Sequence, residues 1–125
     1  MKKAMIIGGC GQDGAYLSKF LIDKGYEVFV TTRNVNSANV NGLRRLGVED
    51  KINKVSLNPS NYSQVFECIS SIMPDEIYNL SGQSSVSLSF TKAIETYESI
   101  AIALLNILEA CKKISKSIKL YNAGS

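Results

Sequence analysis

The sequence predicts an α/β fold, a doubly wound parallel sheet with helices on both faces. Two observations support this prediction. Short runs of apolar and β-branched residues alternate along the chain with segments of helical periodicity, and the connections between them are short. A glycine-rich turn also follows the first apolar run and precedes the first helical segment. This alternation is typical of βαβ units, for which we expect the strand order 3-2-1-4-5.

The first two strands and the helix between them have the clearest patterns. Lys3–Gly8 is a largely apolar run, as in a strand buried on both faces. Gln12–Lys24 has the spacing of an amphipathic helix and stops at Gly25. Glu27–Thr32 is β-branched and aromatic, which favours a second strand. The apolar face of the helix is predicted to consist of Leu17, Phe20 and Leu21.

The middle of the chain is more polar. The Asn- and Ser-rich stretch Asn34–Asn41 is predicted to be a loop, followed by a weak helix over Val40–Leu46. Ile52–Leu57 is the third predicted strand, which Pro59 ends. Apolar residues at helical spacing then predict a helix that Pro74 ends. These residues are Tyr62, Val65, Phe66, Ile69 and Ile72.

Two more strands and the longest helix complete the prediction. Glu76–Ser81 is the fourth strand, and a polar loop, Gly82–Ser89, follows it. Lys92–Lys113 is a long helix, and Ile118–Asn122 is the fifth strand. The apolar stripe of the helix is predicted as Tyr97, Ile100 or Ala101, Leu104, Leu108 and Cys111. Because the chain stops directly after this strand, we expect residues 1–125 to be the N-terminal part of a longer protein; the alternative is a minimal five-stranded domain.

Composition excludes several classes of function. With 125 residues, 45% hydrophobic and 20% charged, the chain has the make-up of one globular domain. Its net charge of +3 is small and scattered, which argues against nucleic acid as a partner. The chain has no histidine, so neither a histidine base nor a histidine-ligated metal is predicted.

Cysteine usage and the lack of long apolar segments predict the cellular location. Cys10, Cys68 and Cys111 lack the spacing of metal ligands and are interpreted as small packing residues, so no metal site is predicted. No stretch reaches the roughly 18 apolar residues of a membrane span, and Met1–Lys3 does not open a secretory signal. Free thiols in such a chain predict the reducing cytoplasm.

The glycine turn is the strongest functional signal. Residues 8–14 read GGCGQDG and satisfy G-x-x-G-x-x-G between a strand and a helix. Gly8 would permit the turn, Gly11 the approach of a pyrophosphate and Gly14 the close packing of the helix. The phosphate would lie at the helix N-terminus, where free N–H groups favour an anion. We therefore predict a dinucleotide site in a Rossmann-like fold; the alternative is a merely tight turn.

The end of the second strand indicates which dinucleotide binds. A carboxylate about 20 residues after the glycines would accept the ribose hydroxyls of NAD. The sequence there reads TTR, and no acidic residue follows before Glu49. Arg33 can contact a 2′-phosphate through two N–H groups and can stack on adenine. This favours NADP as the cofactor; the alternative is a solvated arginine at a strand end.

Four segments together resemble a known family. They are GCGQDGAYL, KGYEVFVTTR, PDEIYNLSGQSSVSLSF and KLYNAGS. They are similar to the extended short-chain dehydrogenase/reductase superfamily and, within it, most similar to the GDP-mannose 4,6-dehydratases. The pair Gln12-Asp13, with Tyr78–Leu80 and Gln83-Ser84, carries the more specific part of the resemblance. The resemblance covers the whole chain but only the N-terminal part of such an enzyme.

The resemblance implies roles for individual residues. Arg33 would meet the adenosine 2′-phosphate, and Ser125 would supply an active-site hydroxyl to the sugar. Asn58 would accept a hydrogen bond from the adenine amino group, with Pro59 next to it in the same turn. The residues expected to bind the cofactor are Gly8, Gly9, Cys10, Gly11, Gln12, Asp13 and Gly14 at the pyrophosphate, Arg33, Asn58 and Pro59 at the adenosine, and Leu80, Ser81, Gly82, Gln83 and Ser84 along the nicotinamide ribose.

The resemblance also implies a reaction. In these dehydratases NADP oxidises carbon 4 of the hexose of GDP-mannose, water leaves across carbons 5 and 6, and the hydride returns to carbon 6. A tyrosine of a Y-x-x-x-K motif is the base, and a glutamate assists the elimination. Neither is present in this chain, so residues 1–125 alone are predicted to be inactive.

The resemblance further implies that the full protein is a homo-oligomer, a dimer or a tetramer, in which the Asn34–Asn41 loop reaches a neighbouring subunit. Two alternatives for the function stay open. One is another nucleotide-sugar enzyme, an epimerase, a reductase or a GDP-heptose dehydratase. The other is a non-catalytic dinucleotide-binding module with the same fold.

Overall fold

The structure consists of a five-stranded sheet covered by helices on both faces. The computed structural model describes residues 1–36, 39–81, 90–114 and 117–122. The strands are β1 Lys3–Ile7, β2 Glu27–Thr32, β3 Asn53–Ser56, β4 Glu76–Asn79 and β5 Lys119–Asn122. The helices are α1 Gln12–Asp23, α2 Asn41–Arg45, α3 Tyr62–Ile72 and α4 Phe90–Lys113. All strand pairs are parallel, and the order is β3-β2-β1-β4-β5, which confirms the predicted fold class.

The predicted elements are all present, and their observed bounds differ from the predicted ones by at most two residues at either end. A short 3-10 helix, Glu49–Lys51, joins α2 to β3 and was not expected from the sequence. The predicted loop Gly82–Ser89 lies outside the described residues.

Strand β1 is buried on both faces because each face of the sheet carries a pair of helices. Ala4 and Ile6 lie in an apolar cluster with residues of α1 and α2. Met5 and Ile7 lie in a second cluster with residues of α3 and α4. Side chains alternate across a strand, so a central strand of such a sheet has to be apolar at every position. This explains the run that the sequence shows at the start of the chain.

The apolar face predicted for α1 is partly wrong. Leu21 is buried and Leu17 is half-buried, but Phe20 is 55% exposed. Lys24 Nζ lies 4.7 Å from the centroid of the Phe20 ring, so the ring carries a cation on its surface side. The residues of α1 that are buried are Gly14, Ala15, Ser18 and Leu21. Small residues on this face let the helix lie close to the sheet.

The apolar stripe predicted for α4 is also wrong. Tyr97 is 74% exposed and Leu108 is 47% exposed. The side chains that α4 buries are instead Ala103, Ile107 and Ala110. The outer side of α4 exposes large apolar side chains, which are Ile94, Tyr97, Ile102, Leu105 and Leu108.

The cysteines agree with their predicted packing role. Cys10 lies against the cluster under α1 and α2, and Cys68 and Cys111 lie against the cluster under α3 and α4. Each is half-buried, and burial raises the pKa of each thiol. Within the described segments, no helix combines the length and the apolar character that crossing a membrane requires.

Candidate dinucleotide site

The glycine turn lies where the order of the sheet reverses. β1 sits between β2 and β4, so the chain leaves the ends of β1 and β4 on opposite faces and a crevice opens between them. The two turns touch, because a Cβ added to Gly8 would lie 3.1 Å from Ser81 Cα. Leu80 N–H donates to the Ile7 carbonyl oxygen at 2.9 Å. The fold therefore brings the glycine turn together with Leu80 and Ser81, as the sequence predicted.

Steric contacts explain why the turn is rich in glycine. Gly8 has a φ of +75°, in the left-handed region that side chains disfavour. A Cβ on Gly14 would overlap the carbonyl group of Gly9, so the predicted close packing of the helix is confirmed. A Cβ on Gly9 would lie 2.5 Å from Ile6 Cγ2, a constraint that the motif does not assign. At Gly11, in contrast, the Cβ position has no neighbour within 4 Å, and the turn is open.

Two amides of the turn are already used inside the protein. Gly8 N–H and Gly9 N–H both donate to the Thr31 carbonyl oxygen, at 3.1 and 3.2 Å. Gly8 N–H also lies 3.2 Å from Thr31 Oγ1. These bonds fasten the turn to the end of β2. The N–H groups that face a ligand are therefore to be sought further along, at Gly11 and the first turn of α1.

The start of α1 suits an anion. Its N-cap residue is Gly11, and no side chain caps the first turn. In α3, by comparison, Asn61 Oδ1 accepts from Gln64 N–H at 3.2 Å. First-turn N–H groups without a capping side chain carry the positive end of the helix dipole. With the turn open at Gly11, an anion can approach this helix end.

Asn79 fixes the turn that follows β4. Its buried side chain accepts through Oδ1 from Ser81 N–H at 3.2 Å and from Ser81 Oγ–H at 2.5 Å. Its Nδ2 donates to Asn122 Oδ1 at 2.8 Å, across the pairing of β4 with β5. Sequence reasoning missed this pair. The available signal was the matching YN at the end of both strands.

Arg33 and Asn58 contact each other at the ends of β2 and β3. Arg33 Nη1 donates to Asn58 Oδ1 at 3.1 Å, and Ser60 N–H donates to the same oxygen at 3.1 Å. A carbonyl oxygen has two lone pairs, so the oxygen expected to accept from adenine already has two donors. Arg33 would have to move before this oxygen could bind adenine. Pro59 lines one shallow depression together with Arg33 and Ser81.

A deeper cavity of about 380 Å³ lies on the other side of the glycine turn, between α1 and α2. Its walls include Cys10 and Gly11 from the turn, Thr32 from β2 and Arg45 from α2. Sequence reasoning did not assign Arg45, because an Arg-Arg pair on a short helix has no motif that separates its two members.

The tyrosines around Glu76 do not have the properties of a catalytic base. Burial and the Glu76 carboxylate raise the pKa of Tyr78. The pKa of Tyr26 is raised by its hydrogen bond to Glu76, whose O···O distance is 2.8 Å. A general base at neutral pH needs a lowered pKa instead. Glu76 also opens β4, so this cluster lies at the sheet edge opposite the glycine turn.

The remaining predicted site residues, Gly82, Gln83, Ser84 and Ser125, lie outside the described residues. Their roles stay predictions.

Sequence comparison gives a consistent family. The family model described as GDP-mannose 4,6 dehydratase matches residues 5–125. The chain is 36% identical to GDP-mannose 4,6 dehydratase 1 of Arabidopsis thaliana, over 99% of this chain and 37% of that protein. It is 33% identical to the GDP-mannose 4,6 dehydratase of Homo sapiens, over 98% of this chain and 35% of that protein. The chain thus spans little more than a third of the length of the curated relatives it matches.

Solved structures share the fold at low identity. The dTDP-glucose 4,6-dehydratase of Bacillus anthracis, solved in complex with NAD, matches with a TM-score of 0.74 and 18% identity over 98% of this chain and 37% of that chain. The L-threonine dehydrogenase of Clostridium difficile matches with a TM-score of 0.76 and 24% identity over 98% of this chain and 36% of that chain. These matches confirm the Rossmann-like architecture. With the sequence match over residues 5–125, the chain belongs to the GDP-mannose 4,6 dehydratase family.

Proposed function

We propose that this chain is the cofactor-binding part of a GDP-mannose 4,6-dehydratase and that its cofactor is NADP. The observation that carries the proposal is the glycine turn. It lies at the reversal point of the sheet, is fastened to Thr31 and opens at Gly11 onto an uncapped helix end. Family membership suggests the reaction, the conversion of GDP-mannose to its 4-keto-6-deoxy product.

The described residues fit a phosphorylated dinucleotide. The open side of Gly11 leaves room for a pyrophosphate at the start of α1. At the end of β2, a carboxylate would accept the ribose hydroxyls of NAD and repel a 2′-phosphate. Arg33 stands directly after that strand and is exposed. These features support NADP over NAD.

When bound, NADP would supply the hydride acceptor and donor for the reaction. The chain's own residues would bind and orient it. We propose that residues 11–13 donate N–H groups to the pyrophosphate and that Arg33 lies at the adenosine end. Leu80–Ser84 would run along the nicotinamide ribose, and the Ser125 hydroxyl would hydrogen-bond the sugar oxygen at carbon 4. The tyrosine base, its lysine and the glutamate for elimination would lie in chain beyond residue 125, as the greater length of the relatives suggests.

We also propose that the full protein is a cytoplasmic homo-oligomer. The exposed apolar outer side of α4 supports burial of that surface against another copy. Light scattering of the protein with and without a shortened 34–41 loop tests the proposed loop contact between subunits. A lower mass for the shortened form is expected, and an unchanged mass would reject the contact.

Cofactor titration tests the proposed cofactor. Tryptophan is absent from the chain, so binding is followed by NADPH and NADH fluorescence, and NADPH is expected to bind more tightly. Arg33→Ala should weaken NADPH binding by about 1.5–3 kcal/mol, the scale of a hydrogen bond to a charged group, and leave NADH binding nearly unchanged. An equal loss for both dinucleotides would reject the role of Arg33 at the 2′-phosphate.

The reaction itself is tested with the longer protein that contains this chain. We expect it to convert GDP-mannose to the 4-keto-6-deoxy sugar nucleotide. If the sequence after residue 125 lacks both the glutamate and Y-x-x-x-K, the dehydratase proposal fails and a non-catalytic binding module takes its place.

A further inference from the structure

We infer that the cavity between α1 and α2 receives the 2′-phosphate of NADP and that Arg45 is a second cation, beside Arg33, that selects NADP over NAD. This inference rests on the proposed function. It goes beyond it by naming a selectivity residue on α2, outside the glycine turn and the end of β2.

The position of the cavity fits the adenosine end of the cofactor. Cys10 and Gly11 of the glycine turn and Thr32 of β2 form part of its wall. Thr32 is the last residue of β2. In doubly wound sheets, the residue at this strand end meets the ribose hydroxyls of the adenosine. A phosphate on the 2′ oxygen would therefore project beside this wall.

The wall of the cavity carries positive charge without negative charge. Among the described residues that line it, Arg45 is the charged one and none is Asp or Glu. Gln12, Tyr16 and Asn39 add amide and hydroxyl donors. Burial raises the pKa of the Cys10 thiol, so this wall residue is uncharged at neutral pH. The cavity is therefore suited to an anion.

Arg45 differs from the two other arginines in its contacts. Arg44 Nε pairs with Glu49 Oε2 at 2.9 Å, and Arg33 Nη1 donates to Asn58. Arg45 forms no ion pair or hydrogen bond with any residue that the structure describes. Its guanidinium therefore keeps its N–H groups for a ligand, and a phosphate matches their geometry.

Packing holds Arg45 at the cavity. α2 approaches α1 closely, because a Cβ on Gly42 would lie 3.2 Å from Ala15 Cβ. Leu43 is fully buried beneath α2. The short helix is thus anchored to the core, and Arg45 at its end has a defined starting point beside the glycine turn.

The test compares Arg45→Ala with Arg44→Ala, a neighbour of equal charge that already has a partner. Affinities of the full 125-residue chain for NADPH and NADH are measured by fluorescence. Arg45→Ala should weaken NADPH binding about tenfold or more, the effect of one hydrogen bond to a charged group, with NADH unchanged within twofold. Arg44→Ala should change neither within twofold. Displacement by adenosine 2′,5′-bisphosphate should weaken in parallel in Arg45→Ala, while displacement by ADP should not.

The outcomes separate this inference from the proposed function. If wild-type protein binds NADPH but Arg45→Ala loses both dinucleotides equally, or no more than Arg44→Ala does, the role of Arg45 is rejected and the proposed function stands. If the wild-type chain binds neither dinucleotide, the proposed function and this inference both fail. Arg45→Lys keeps the charge and should recover part of the NADPH preference, which a loss of folding alone would not allow.

Discussion

Gly14 and Gly11 belong to the same glycine motif but differ in their surroundings. A methyl group at position 14 would overlap the Gly9 carbonyl, whereas at position 11 it would meet nothing within 4 Å. We expect Gly14→Ala to lower the free energy of unfolding by about 1–3 kcal/mol, the usual cost of overpacking, and to weaken NADPH binding as well.

Gly11→Ala is the matched control. It should change the free energy of unfolding by less than about 1 kcal/mol but still weaken NADPH binding, since the methyl group would occupy the open side of the turn. Urea unfolding and NADPH titration measure the two effects. Equal destabilisation by both substitutions would contradict the packing described for α1.

Glu76 is a buried carboxylate at the start of β4. Burial acts to raise its pKa, but hydrogen bonds from Tyr78 and Tyr26 and nearby lysine charges outweigh this and lower the pKa below 4.5. A carboxyl group whose pKa is lowered by folding stabilises the fold above its unfolded pKa, and this contribution is lost as pH falls through the folded pKa.

We therefore expect the free energy of unfolding to decrease as pH falls below 4.5, and to decrease less steeply in Glu76→Gln. At pH 7 the Gln variant should be the less stable protein, because a neutral amide oxygen is a weaker acceptor for two hydroxyl groups. Urea unfolding between neutral and acidic pH measures both effects. Parallel pH curves for the two proteins would show that Glu76 does not contribute to the acid limb.

At the level of elements, α4 offers a direct test of which face it buries. Ile107 is fully buried and Leu105, two residues earlier, is 64% exposed. Ile107→Ala should lower the free energy of unfolding by about 2–5 kcal/mol, whereas Leu105→Ala should change it by no more than about 0.5 kcal/mol. Thermal or urea unfolding of the two variants decides the matter, and a larger loss for Leu105→Ala would reverse the assignment.

The same helix shows why its buried face was not predictable. Between Ile100 and Cys111 most residues are apolar, so several stripes satisfy helical spacing equally well. The fold selects the stripe with small residues, Ala103 and Ala110 on either side of Ile107. Periodicity weights large side chains, but a helix packed closely on a sheet needs small ones. The exposed ring of Phe20 on α1 was misjudged for the same reason.

The strands, the strand order and the glycine turn were predictable, because each depends on local sequence. The run of β1 has no polar position after Lys3, and Gly8 and Gly14 meet backbone at once. Contacts between distant segments carried no such signal. The Asn79–Asn122 hydrogen bond and the separation of Arg44 from Arg45 depend on strand register and on helix packing that the sequence pattern does not reveal.

At the level of the whole molecule, we predict that the 125-residue chain has no dehydratase activity. The reaction needs a base for the sugar hydroxyl, and the described tyrosines around Glu76 have raised pKa values. Incubation of purified chain with GDP-mannose and NADP, followed by mass spectrometry, should show only unchanged substrate. Formation of the 4-keto-6-deoxy product would contradict the assignment of the base to another part of the protein.

The hydrogen bond between Asn79 and Asn122 has a consequence for how such an enzyme could diverge. Asn79 also holds Ser81, so the turn proposed to lie along the nicotinamide ribose and the end of the strand that leads to Ser125 are joined through one side chain. The spacing between the two is then set by the sheet and not by its loops. Loops can be exchanged to recognise a different sugar while this spacing is kept, whereas a change at either asparagine would disturb every substrate alike.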